Sequence, residues 1–513
     1  MFFNREYKNR FKILKGGLIS LVVASNLYGA PTGGTVVSGT ATINQSGNTT
    51  NINQSSNKAI INWQDFSIKS NETVNFNQPN SNSITLNRVI GNEKSIIDGA
   101  LNANGQVWLI NSNGVLFGKN AKVNTAGIVA STKDISNEDF NNGNYNFKGN
   151  SKASIVNEGE IKSLANTHAT FIANSVTNKG KIEVHKGTIN LVGASDVTLT
   201  LNENQNISLK VNKGVLDALV DNQNLIVANG GQIYLTTNAK DELLKGVVNH
   251  SGIIEANSLD ELTKSEVILF AHGGKANISG TIDAKGGFVE TSGREFEIKE
   301  ATINAGHWLI DPINITINSA LANTVSNSLN SGDVTISTNG SCPSGGICSG
   351  TDGDITLESK IDKTSTTNST LTLKADRNII FKDTAEVKSS NSKLNLILIS
   401  DNDSTQGGSI YLNGDSSVIN IDTNGGDIWF GGNSWGTSNG SSLWNGLNVG
   451  TGFASSSDNS GVWEGINLKN SSINTNGGNL YIAGRSGKYD KEDRYGVIIK
   501  GNTITPLTNN LKS

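Results

Sequence analysis

The sequence predicts an all-β chain wound as a right-handed parallel β-helix, with an N-terminal cap and extra-helical β-hairpins. Three observations predict it. The 513 residues include 57 glycines but 5 prolines and one methionine, with 35% hydrophobic and 17% charged residues, so poor helix formers and turn residues dominate. A short strand, a polar turn and a second short strand recur, in "IVNEGEIKS" from 155, "VTNKGKIEV" from 176, "VVNHSGIIEA" from 247 and "NISGTIDA" from 277. No stretch shows helical periodicity of any length. Irregular spacing is expected of stacked coils whose loops vary in length. Coils stacked about 4.8 Å apart line a continuous apolar interior and let corner asparagines form ladders.

In chain order, residues 1–30 come first. Arg5, Lys8, Arg10, Lys12 and Lys15 precede the apolar run Leu18 to Ala24, and Gly29-Ala30 supplies small residues before Pro31. This is the pattern of a Sec signal peptide. The apolar run is shorter than the roughly 20 residues a permanent transmembrane helix needs. No later segment reaches that length, so no stable transmembrane segment is expected.

"NANGQVWLINSNGVLFG" from 102 places two apolar runs around Asn111-Ser112-Asn113-Gly114. Asn and Gly tolerate left-handed backbone angles, which accounts for the turn. Val107, Trp108, Leu109 and Ile110 are apolar on both faces, so a cap or an extra-helical sheet is expected over the side that faces away from the solenoid core. "AKDELLKG" from 239 and "SLDELTKSE" from 258 are read as short capped helical turns. Cys342 and Cys348 in "SCPSGGIC" are the only cysteines. In an exported protein this spacing most simply closes a small disulfide loop. Two thiolates without nearby ligands do not complete a zinc site. "TNGGDIWFGG" from 423 is echoed by "TNGGNLYIAG" from 475, a second subset of coils.

Four motifs in order carry a family resemblance: "PTGGTVVSGTATI" from 31, "NQPNSNSITLNRVIG" from 77, "LNANGQVWLINSNGVLFG" from 101 and "AGIVAST" from 126. They resemble the N-terminal secretion domain of filamentous haemagglutinin and other two-partner secretion exoproteins. The family's Asn-Pro-Asn-Gly turn appears with Ser112 in place of proline, and its Asn-Pro-Asn-Leu turn appears as Gln78-Pro79-Asn80-Ser81. "GGFVETSG" from 286 and "GHWLIDPINITI" from 306 are similar to the high-molecular-weight adhesins of that group. The resemblance implies three segments: a signal peptide at 1–30, a β-helical secretion domain at 31–317, and at 318–513 an Asn/Gly/Ser-rich β-repeat region that starts the passenger. It implies a partner as well, an outer-membrane barrel transporter with periplasmic docking domains, through which the chain passes unfolded. The turn residues Asn111, Ser112, Asn113 and Gly114, with Pro79 and Asn80, then either form the surface the transporter reads or act as a folding nucleus. Some relatives are glycosylated at sequons, of which Asn44, Asn71, Asn206, Asn277, Asn314, Asn368 and Asn470 are examples here.

Other chemistries find little support. A formal net charge of -4 with no basic run in the mature region gives no footprint for nucleic acid. Gly432-Asn433-Ser434-Trp435-Gly436 matches the nucleophile-elbow spelling, but no histidine follows His307 and no helix is expected after it. His168, His185, His250, His272 and His307 are scattered and read mostly as exposed turn residues. The acidic pairs in "TDGDIT" from 351 and "SDNDST" from 400 read as solvated turns, since neither continues into a calcium loop. No catalytic residue, cofactor or metal is expected. The functional expectation is a secreted or cell-surface adhesin, with a host-cell or glycan receptor. One alternative is the carrier part of a haemolysin or contact-dependent inhibition toxin. A β-helical glycan-active enzyme, which would need three converging carboxylates on one face, is the other.

Overall fold

The computed structural model describes residues 30–202, 207–238, 246–260, 264–338, 352–405, 407–456, 464–486, 495–501 and 503–505. Residues 1–29 of the expected signal peptide 1–30, Cys342 and Cys348, and the expected helical turn at 239–245 lie outside the described residues, as do residues 261–263 of the second expected helical turn.

The chain is a parallel β-helix. Apart from one coil in which a helix replaces a strand, the coils contribute one strand to each of three faces, and each such strand pairs in parallel with the strand one coil on. On the first face Ile84 pairs with Gln106 and Gly127 again with Gln106. On the second, Ser95 pairs with Val115 and then Val115 with Ile155. On the third, Ala100 pairs with Lys122 and Lys122 with Glu160. The long strand Glu266–Ile310 bends round the corners, so its successive parts pair with all three faces. Alternate side chains point inward, and one apolar core runs from Ile52 to Ile473 without a break.

The repeats found in the sequence all occupy the same place, the second and third faces and the corner between them. Their asparagines stack through that corner. The Asn157 side-chain amide donates to Asn178 Oδ1 at 2.8 Å, and Asn178 donates to Asn222 Oδ1 at 2.8 Å. The ladder ends at His250, whose Nδ1 lies 3.2 Å from Asn222 Nδ2 and whose Nε2 lies 3.1 Å from the Thr281 carbonyl. The coil holding Asn222 was missed in the sequence because Asn224 stands where its neighbours have glycine. The echoed pair at 423 and 475 also stacks, with Ile428 opposite Leu480 and Asn476 donating to Asn424.

At the N-terminal end, Thr35–Ser38 runs antiparallel to Lys58–Trp63, and Ala41–Ser46 antiparallel to Thr49–Gln54. Val36, Ala41 and Ile43 close the core there. Among the described residues three insertions leave the solenoid at the corner between the first and second faces. The first carries helix α1 (Asn137–Asn142) and the strand Tyr145–Lys148; the second is the antiparallel hairpin of Asp196–Leu201 with Ile207–Lys213. Together they cover the outer side of the first face, where Tyr145 pairs with Leu199. Trp108 is fully buried beneath them, its ring 4.7 Å from Tyr145 and 5.6 Å from Phe140. Val107 and Leu109 face the main core while Trp108 and Ile110 face this cap, which is why Gln106–Ile110 is apolar on both sides. The third insertion places the hairpin of Ser442–Trp444 with Leu447–Val449 over Trp429 and Ile399.

Two expectations fail. Helix α2 (Ser319–Ser328) takes the third-face position of one coil, buries Leu321, Ala322 and Val325 in the core, and is capped by Asn318, whose Oδ1 accepts from the Leu321 amide at 3.1 Å. Leu321, Val325 and Leu329 sit at i, i+4 and i+8, a helical signal too short to stand out among the Asn and Ser around it. The histidines divide: His185, His272 and His307 are exposed, but His168 and His250 are buried strand residues.

Truncation of Trp108 to alanine empties the space between solenoid and cap, with an expected loss of about 3–5 kcal/mol in urea unfolding; a loss near zero would mean the cap is not packed. Burial lowers the His250 pKa to about 4, below its unfolded value of roughly 6.5. Below that value the unfolded chain binds a proton that the fold excludes, so this histidine's contribution is present at neutral pH and is lost as pH falls from 6.5 toward 4. Between roughly pH 6 and 4.5, unfolding free energy in the wild type should therefore fall more steeply with acid than in His250→Gln, by up to about 1.4 kcal/mol per pH unit. Equal slopes would contradict the neutral buried imidazole.

Candidate functional site

The sequence-predicted residues divide between two turns, at opposite ends of the paired strands Ile84–Val89 and Gln106–Ile110. Asn111 to Gly114 follows the C-terminal end of Gln106–Ile110, at the same corner from which the insertions leave. Gln78 to Ser83 precedes the neighbouring strand Ile84–Val89, at its N-terminal end. The two turns are thus separated by the length of a strand, roughly 16 Å at about 3.3 Å per residue. The fold does not bring them into one pocket.

Asn111 is completely buried. Its Nδ2 donates to the Glu93 carbonyl and to Ser95 Oγ, each at 3.0 Å, and its Oδ1 accepts from the Asn113 amide at 2.9 Å. The Gly114 amide closes the turn onto the Asn111 carbonyl at 3.0 Å, and the Asn111 amide donates to the Ser131 carbonyl at 2.9 Å. Ser112 and Asn113 are exposed at the tip, although Asn113 Nδ2 still reaches the Gly91 carbonyl at 3.0 Å. One turn therefore ties the preceding coil, through Gly91, Glu93 and Ser95, to the following one, through Ser131.

Left-handed backbone is needed only at Gly114, whose φ is +104°; Asn111 and Asn113 do not adopt it. The asparagines serve instead as hydrogen-bonding side chains that mimic backbone. A Cβ on Gly114 would lie 2.8 Å from the Ser154 carbonyl, so glycine is required for space as well as angle.

Lys133 was not anticipated. It is buried, its Nζ donates to the Ser151 carbonyl at 2.6 Å, and Ser151 Oγ donates to the Ser112 carbonyl at 2.6 Å. Burial lowers the pKa of this lysine to about 8. It pins residues 149–153 against the turn tip. The signal was its place directly after "AGIVAST", where a lysine interrupts apolar and small residues.

At the other end Pro79, Asn80 and Ser81 are exposed, and the Asn80 carbonyl accepts from the Ser83 amide at 3.1 Å. The less expected residue is Gln78. Its buried Nε2 donates to the Thr85 hydroxyl and the Gln106 carbonyl, both at 3.0 Å, while Oε1 accepts from the Gly105 amide at 2.9 Å. Beneath it Thr85 donates to Gln54 Oε1 at 2.5 Å, and Gln106 Oε1 meets Trp108 Nε1 at 3.2 Å and His168 Nε2 at 3.1 Å. Burial drives the His168 pKa down to about 3. The departure from the family asparagine at 78 thus builds a buried amide network that a shorter side chain would not reach.

Elsewhere the acidic turns are less solvated than expected. Asp401 is buried and accepts from the Gly407 amide at 3.0 Å and from the Ser434 hydroxyl. Asp354 holds Arg377, with Nε at 2.7 Å. Ser434, the serine of the elbow-like spelling, is buried and spends its hydroxyl on Asp401, and a turn rather than a helix follows it. Burial, with Glu290 and Asp376 nearby, raises the pKa of Asp311 to about 6. Among the described residues no group of three or more His, Cys, Asp or Glu side chains is arranged to hold a metal ion, and no helix is long and apolar enough to cross a membrane.

The chain is similar to known proteins in three respects. The model of the TPS secretion domain matches residues 28–283. Two heme/hemopexin-binding proteins of Haemophilus influenzae are relatives, one from strain Rd at 31% identity over 319 residues and one at 27% over 318. These alignments cover 59% and 55% of this chain but 35% and 34% of the relatives, so the match spans about a third of their length. The crystal structure of the HMW1 secretion domain from Haemophilus influenzae superposes with a TM-score of 0.48 at 22% identity, covering 93% of this chain and 100% of that one. Through residues 28–283, which contain both turns and the paired strands between them, the chain belongs to the TPS secretion domain family of two-partner secretion exoproteins.

Proposed function

We propose that this chain is an adhesin, exported through a cognate outer-membrane barrel transporter with periplasmic docking domains and displayed at or released from the cell surface. The observation that carries the reading is the TPS secretion domain over residues 28–283. The geometry supports a division of labour within it. Asn111 and Gly114 lock three coils together, while Ser112, Asn113, Pro79 and Asn80 stand exposed at opposite ends of two neighbouring strands as the residues the transporter reads. The signal peptide at 1–30 directs the chain to the periplasm, residues 31–317 act as the secretion domain, and residues 318–513 begin the passenger. A solenoid suits passage in an unfolded state, since each emerging coil finds its hydrogen-bonding template in the one before. The activity is adhesive rather than catalytic, and a Cys342–Cys348 disulfide suits the oxidising compartments on this route.

A second reading has one specific observation in its favour, the 31% identity to a heme/hemopexin-binding protein over 59% of this chain. On that reading the exported chain captures haem or its carrier. Capture of haem-loaded hemopexin by the purified chain, without adherence to epithelial cells, would replace adhesion with haem acquisition.

Secretion is tested by co-expression with and without the partner barrel, with medium and cell surface assayed at matched periplasmic levels. Export should require the barrel; equal export without it overturns the central reading. Asn111→Ala should lower unfolding free energy by about 1–3 kcal/mol, since it strands the Glu93 and Ser95 acceptors, and should lower export with it. Asn113→Ala and Asn80→Ala should lower export out of proportion to stability; if export follows stability in every variant, the turns are fold elements alone. Ser112→Pro places proline where its fixed φ fits a turn, and should raise stability by about 0.4–1 kcal/mol in urea unfolding.

A further inference from the structure

On the outer side of the second face, beyond the secretion domain, two adjacent coils form a cleft of about 520 Å³, within the range of about 300–1,000 Å³ usual for small-ligand sites. Its floor is apolar. Ile380 and Tyr411 lie side by side on paired strands and point outward, because their neighbours Ile379, Phe381, Ile410 and Leu412 fill the core. Asp383, Asn413 and Asp415 rise at one end of the floor. These groups are fixed in place: the Ser416 amide donates to Asp383 Oδ1 at 3.0 Å, and Asn413 Nδ2 donates to Asp415 Oδ2 at 2.6 Å.

The rim is rich in acceptors. The carboxylates of Asp383 and Asp415 supply them. The neighbouring cations are already engaged, Lys382 by Glu358 and Lys469 by Asp415. Carboxylated or sulfated ligands would meet carboxylates with no cation to spare for them. A ligand with an apolar face one ring wide and a rim of hydroxyl donors fits both parts, and a neutral sugar has that form.

We propose that this cleft binds the terminal residue of a neutral glycan, with the sugar ring lying on Tyr411 and Ile380 and its hydroxyls donating to Asp383 and Asp415. The inference deepens the adhesive reading and rests on the surface display proposed there. It places the receptor contact outside residues 28–283, so one chain carries separate surfaces for export and attachment.

The full exported chain is applied to an array of neutral oligosaccharides with their sialylated and sulfated counterparts, and a neutral glycan that binds is titrated calorimetrically. Neutral glycans should bind, Tyr411→Ala should weaken binding by about tenfold or more, and Tyr411→Phe, which keeps the ring, should retain it. Unchanged melting temperatures show that both variants are folded. Binding confined to charged glycans, no binding of any neutral glycan, or equal binding by Tyr411→Ala overturns the proposal. Cell adherence separates the two readings: adherence unaffected by Tyr411→Ala leaves adhesion standing and removes the cleft, whereas Tyr411-dependent glycan binding without adherence does the reverse.

Discussion

The constraint on which the rest of this structure depends is the parallel ladder between successive coils. Each backbone amide on three faces must find its carbonyl one coil away, and a slip of one residue would turn every inward side chain outward. Register is held by two complementary devices. Inside, alternating residues such as Ile155, Val176, Val220 and Val248 stack into one apolar column. At the corner, Asn157, Asn178, Asn222 and His250 pair with one another across coils. The buried amides are acceptable only because each finds a partner in the next coil, so the polar ladder penalises a shifted register more strongly than an apolar corner would.

The same constraint explains where the chain is free to elaborate. Among the described residues the three insertions depart between the first and second faces, and the outer side of the first face is what they cover. Asn111 to Gly114 is a four-residue passage round that corner. Its compactness comes from side chains rather than unusual backbone, with Asn111 taking the place of a peptide group toward Glu93 and Ser95. A residue that holds three coils together thus stands next to an exposed tip.

The proposed surfaces for export and attachment lie apart along the solenoid axis. The match to the TPS secretion domain ends at residue 283, while the Tyr411 cleft lies several coils further on. The core continues between them without a break, so the later coils inherit their register from the earlier ones. A linear stack of this kind permits a surface to be added at one end with little effect on the other, since each coil touches only its neighbours.

Fold class was legible because its determinants are local and repeated: strands of three to six residues, turn residues between them, and Asn and Gly at fixed places. The motifs around Asn111 and Pro79 were legible as well, and Val107 to Ile110 announced a covered strand by being apolar on both faces. Other features became visible only in three dimensions. Nothing near Trp108 in sequence says that Phe140, Tyr145 and Leu199 cover it, because insertions from two different coils meet there. Gln78 reads as a departure from a motif, and its meaning lies in Thr85, Gly105 and Gln106, brought to it by stacking. His168 and His250 read as surface residues since burial in a solenoid is decided by coil register, which irregular loop lengths conceal. Helix α2 hid for the same reason, its i, i+4, i+8 signal being short and its partner the core of two coils. The sequence by itself determined that the chain would coil and which residues would turn. Only the tertiary structure decided what each outward side chain meets, because that depends on pairing across coils whose spacing along the chain varies.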